Sequence, residues 1–169
     1  ILKVCLYSAS FLSVGTLSFS LHFAKHLTFA QKTYCDNLAF KTASVGSTIS
    51  LLMFFSVAGN LGGDIASVIE PLMLRLALES KSGVGYLIAF MGFTGMLMAY
   101  HLQGFANRVG LLASSFSILL SFTISGHSQL GGFLSQLLLL VHLFGITFWL
   151  GALLPFRWMC LQPDPHNLS

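Results

Sequence analysis

Apolar and polar positions in this chain are sorted into long blocks, without the short-period alternation of a half-buried strand. Runs of about 17–25 predominantly apolar residues recur five times, the length a helix needs to cross a bilayer core. They lie near 1–23, 42–60, 84–101, 110–126 and 133–156. The pattern predicts an all-α fold: one polytopic transmembrane helical bundle of about five spans, covering 1–169 as a single domain. The first run is followed by no small-residue cleavage site, so it reads as a span and not a removed signal. Because the chain opens on Ile1 inside that run, its N-terminus is expected to be incomplete.

The connections carry patterns of their own. Between the second and third runs, "DIASVIEPLMLRLALE" places Ile65, Val68, Ile69, Leu72, Leu76 and Leu78 at near-helical spacing, interrupted by Pro71. This predicts a short amphipathic helix at the membrane surface, or a helical cap that serves packing alone. Small residues also form stripes inside the runs. Ser8, Phe11, Gly15, Ser18 and His22 share a side of the first span. Gly85, Ala89, Gly92 and Ala99 share one of the third, and Ser114, Ser117, Ser121 and Ser125 one of the fourth. Such stripes let membrane helices approach closely, and they are read here as packing seams.

Composition sharpens the class. Hydrophobic residues make up 55% of the chain and charged ones 8%, against about 25% charged in soluble domains. Too few charges are available to clothe a water-facing surface, so the lipid bilayer is the expected partner and nucleic acid is not. Cys5, Cys35 and Cys160 are far apart and support neither a zinc site nor a disulfide framework. The stretch "AKHLTFAQKTYCDNLAFK" carries Lys25, Lys32 and Lys41, "LQGFANRVG" carries Arg108, and the last span ends at Arg157. The loops at 61–83 and 126–132 are acidic or free of lysine and arginine. Basic ends concentrate on the cytoplasmic side, which predicts an N-terminus outside and a C-terminus in the cytoplasm.

The candidate chemistry is sparse. There is no HExxH, GxSxG, phosphate-binding glycine loop or paired-carboxylate motif, and the chain is not expected to be an enzyme. His142 stands out because it lies about nine residues into the fifth span, roughly 14 Å deep at ~1.5 Å per residue. An ionisable side chain at that depth is a functional candidate. Ser135, Gly145, Ile146, Trp149, Leu153 and Phe156 share its face. His127 precedes the span at its outer mouth. Met91 and Met53 are expected at depths comparable to His142, and imidazole with thioether is a ligand set that suits Cu(I). These four residues, His127, His142, Met91 and Met53, are the candidate metal ligands. Two other readings stay open: a b-type haem held by two histidines, and a non-catalytic assembly protein whose imidazole is hydrogen-bonded to a serine of a neighbouring helix. His22 and His101 sit towards the cytoplasmic ends of their spans, which counts against haem. Asp64 and Glu70 are the acids nearest the outer face.

"GHSQ" followed by "VHLFGITFWLGALLPF" resembles the copper-resistance D (CopD) family of bacterial inner-membrane proteins. That family shows a Gly-His pair closing one helix, then a His, then a Trp-hydrophobic-Gly-Gly-hydrophobic-hydrophobic-Pro run. Here these are Gly126, His127, His142, Trp149, Gly151 and Pro155, with Ala152 where the second glycine often falls. The opening "YSASFLSVGTLSFSLHF", with Gly15 at its middle, is similar to the family's first helix. The resemblance implies copper binding or transport across the inner membrane for resistance or homeostasis, often beside a periplasmic copper-binding protein. The family continues for several further helices, so the resemblance covers its N-terminal part.

Overall fold

A computed structural model describes residues 1–125 and 132–161 of the chain. All of its regular structure is helical among those residues. Six α-helices follow one another: α1 (Leu2–His22), α2 (Phe29–Gly62), α3 (Pro71–Glu79), α4 (Lys81–Ala99), α5 (Gly104–Ser125) and α6 (Gly132–Cys160). A single 3-10 turn, Ala66–Ile69, precedes α3. Every helix but α3 is long and apolar enough to cross a membrane, and the chain is a multi-pass membrane protein. The five expected spans are all present.

One boundary differs widely from the sequence reading. α2 begins at Phe29, not near 42, and runs for 34 residues. The cause is local. Thr28 Oγ1 accepts a hydrogen bond from Gln31 N–H at 3.3 Å, and Gln31 Oε1 accepts one from Thr28 N–H at 2.9 Å. This reciprocal capping box satisfies two donors that a helix start leaves open. The other end closes on Gly63, whose φ of 81° is the left-handed conformation that favours glycine at a helix terminus. At ~1.5 Å per residue α2 is about 50 Å long, well beyond the ~30 Å hydrocarbon core. Of the stretch taken as a loop from its lysines, residues 29–41 are therefore helix, and 24–28 form the turn that joins it to α1.

The expected surface helix is α3. Pro71 opens it at a position that needs no N–H, so the proline starts the helix and does not break one. Ile65, Ile69, Leu72 and Leu78 remain exposed, as an interfacial segment would leave them. Asp64 caps the 3-10 turn by accepting from the Ser67 N–H (2.7 Å) and the Ser67 hydroxyl. Those two bonds stabilise the ionised form and hold its carboxyl below the ordinary carboxylate value.

The core is shared by four spans. Leu6, Val14 and Leu17 of α1 meet Ala39 and Ala43 of α2, Phe93 and Met96 of α4, and Ile118 of α5. Small residues make the close approaches. Gly46 of α2 opens the space filled by the fully buried Phe93 ring. Gly92 packs on Ile118 and Ser114 of α5. Gly85, Ala89, Gly92 and Ala99 are all buried, so that stripe is a packing seam as expected. In α1 the buried positions run from Leu6 to Ser20 and cover most of the circumference from Ala9 onward, while Ser8 and His22 of the expected stripe are exposed. The buried serines bond mostly to carbonyls of their own helix: Ser10 to Leu6, Ser115 to Leu111 and Ser121 to Ile118.

Candidate functional site

α6 supplies His142, and its orientation is set by one crossing. Gly15 of α1 and Gly151 of α6 lie against each other so closely that a Cβ on Gly15 would come within 2.8 Å of Gly151 Cα. Beside them the Thr16 hydroxyl donates to the Gly151 carbonyl at 3.0 Å. The two glycines that entered the sequence reading separately are thus packing partners. Lower down, the Trp158 ring stacks on Tyr34 of α2, with centroids 4.6 Å apart and planes 5° from parallel. Thr147, Gly151 and Pro155 are the buried positions of α6.

His142 precedes Gly151 by nine residues, a rotation of about 180° at 3.6 residues per turn. It therefore points away from α1, and it is exposed. Leu138, Val141, Phe144, Trp149, Leu153 and Phe156 are exposed around it. Gly145 adds an open position, with nothing within 4 Å of where its Cβ would stand. The face drawn through His142 from the sequence is real, but it is the outward face of the bundle. The imidazole has no hydrogen bond to any described residue, so the expected serine partner on a neighbouring helix is not found among them.

The candidate ligands that the structure describes stand on three different helices, with His142 on the outward face of α6. Met53 is buried at 8% exposure on α2, whereas Met91 stands 62% exposed on α4. Among the described residues the backbones of α4 and α6 do not approach each other closely. Among the described residues no three His, Cys, Asp or Glu side chains come together. His127 lies outside the described residues. His22 is exposed at the end of α1 with its ring edge-on to Phe23 and Phe148, and His101 is exposed beyond α4. Because His142 faces away from α1, His22 and His142 do not form a haem-holding pair inside this bundle.

A second polar locus was not apparent from sequence. Lys3 and Tyr7 of α1, Ser82 and Tyr86 of α4 and Ser121 of α5 line a pocket of ≈ 80 Å³ floored by Leu6 and Phe122. Its residues come from three distant segments, and no short motif announces them. No known protein family, curated protein or solved structure matches the chain.

Proposed function

We propose that this is a copper-handling membrane protein in which His142 binds the ion as cargo on the outward face of α6, where another helix completes the ligand set. The observation that carries this reading is an imidazole deep in an apolar helix, turned away from its own bundle and without a hydrogen bond to any described residue. Burying such a ring against lipid alone is costly, and a neutral imidazole offers the nitrogen that a soft ion accepts. The motif residues around it, from Gly126 to Pro155, are those of the CopD resemblance. Met53 is buried in the core and Met91 stands exposed on α4, so in this reading the further ligands of His142 come from the docked helix. Exchange among neutral imidazole and thioether ligands would pass Cu(I) without a full hydration shell.

The site belongs in the bacterial inner membrane, with the N-terminus outside and the C-terminus in the cytoplasm, as the lysine and arginine distribution favours. A periplasmic copper-binding protein is the partner that would deliver or receive the ion. The test is copper content after Cu(I) loading of detergent-purified protein, parent beside His142→Ala. About one ion per binding unit in the parent, lost in the variant, is expected. Copper in neither, or equally in both, refutes the ligand assignment. A second reading, an assembly subunit that uses the face for docking alone, is favoured by the vacant space at Gly145. It predicts association that survives His142→Ala and needs no metal.

A further inference from the structure

The pocket between the first turns of α1, the first turns of α4 and the last turns of α5 has a one-sided chemistry. One ammonium, Lys3, and four hydroxyls, from Tyr7, Ser82, Tyr86 and Ser121, line it, and no carboxylate does. The Ser121 hydroxyl donates to the Ile118 carbonyl at 2.7 Å, so its proton is engaged by its own helix. Lys3, Tyr7 and Tyr86 donate to no acceptor among the described residues. Tyr7 is held in place by stacking on Phe122, with centroids 4.9 Å apart. Donors without an acceptor among the described residues, one of them cationic, converge on an apolar floor of Leu6 and Phe122.

The volume limits the occupant. At ≈ 80 Å³ the space is far below the ~300 Å³ at which sites for drug-sized ligands begin, and it suits one compact group. Its position at the helix ends is the level where tyrosine and lysine meet lipid headgroups. An ammonium with two phenol donors is matched by an anion whose oxygens accept several charge-assisted bonds at once. It is not matched by a soft metal ion, because no thioether, thiol or imidazole lines the pocket. We propose that this pocket binds a phosphate group, carried either by a membrane phospholipid or by free phosphate. This inference is independent of the copper reading.

The experiment uses the full chain in detergent and compares the parent with Lys3→Gln, Tyr86→Phe and Lys25→Gln. Lys25 lies at the opposite end of α1, so its variant controls for loss of one positive charge. Thermal melting is followed while phosphatidylglycerol or inorganic phosphate is titrated in, and native mass spectrometry counts phospholipid retained after delipidation. Stabilisation of the parent is expected, with binding weakened at least about tenfold in Lys3→Gln, less in Tyr86→Phe and not in Lys25→Gln. Lys3 is exposed, so its replacement leaves the helical circular dichroism unchanged. A response to phosphatidylglycerol alone identifies a lipid headgroup, and a response to inorganic phosphate identifies a free anion. No response to either, or equal responses from the parent and Lys3→Gln, overturns the proposal.

Discussion

Replacing Gly15 with alanine separates α6 from the bundle. The new methyl would overlap the Thr147 carbonyl oxygen and sit 2.8 Å from Gly151 Cα, where ordinary contact needs at least 3.4 Å. Both obstacles are backbone, which cannot rotate aside as a side-chain tip can. Relieving the Thr147 overlap requires the two helices to part by roughly 1–1.5 Å, the kind of overpacking that costs about 1–3 kcal/mol. That displacement also carries the Thr16–Gly151 hydrogen bond from 3.0 Å past the distance at which it counts as one. Its loss adds about 1 kcal/mol, for a total of about 2–4 kcal/mol. The readout is built in, because both tryptophans, Trp149 and Trp158, belong to α6. Titration of micellar protein with a denaturing detergent, followed by tryptophan fluorescence, should show α6 releasing earlier in Gly15→Ala. Gly145→Ala is the matched control: its methyl enters open space, and the helix should be as stable as the parent or slightly more so. Gly15→Ala within about 0.5 kcal/mol of the parent, or Gly145→Ala equally disruptive, would refute the reasoning.

Two further outcomes follow from features outside the spans and at their ends. The Asp64 carboxyl is held below its ordinary value of 3.8 by the Ser67 bonds, so the ionised form contributes stability above pH 3.8 that is lost as pH falls through the lower native value. The Ser67 amide resonance should titrate with a midpoint below 3.8, and not at all in Asp64→Asn; a midpoint at or above 3.8 contradicts the capping geometry. Cys5 and Cys160 are exposed while Cys35 is buried, so a membrane-impermeant maleimide applied outside intact cells should label Cys5 and spare Cys160. Labelling of Cys160 from outside would reverse the proposed orientation.

What the sequence reveals, and what it hides, has a physical basis. The five spans are legible because the bilayer sets a minimum apolar length, and all five are present as helices. The start of α2 was legible too, in the Thr28-to-Gln31 spacing of a capping box, but the polar lysine-bearing stretch around it suggested a loop. The face through His142, Trp149 and Phe156 follows from 3.6-residue periodicity. Which way that face turns does not, because lipid and a helix bundle are equally apolar neighbours and hydrophobicity cannot tell them apart. The contact of Gly151 with Gly15 and the stacking of Trp158 on Tyr34 decide it. The pocket at Lys3 was illegible for a different reason: Tyr7, Tyr86 and Ser121 become neighbours only once three spans have packed.

The Gly15–Gly151 crossing also has a meaning in time. Thr16 and its acceptor on Gly151 are 135 residues apart in the chain. At about 5–20 residues per second of synthesis, α1 is made roughly 7–27 s before the helix that covers it. Throughout that interval the Thr16 hydroxyl lacks its native acceptor and the notch at Gly15 stands open within the membrane. A chain halted before Gly151 cannot close that notch, so closure of this crossing waits on the synthesis of α6.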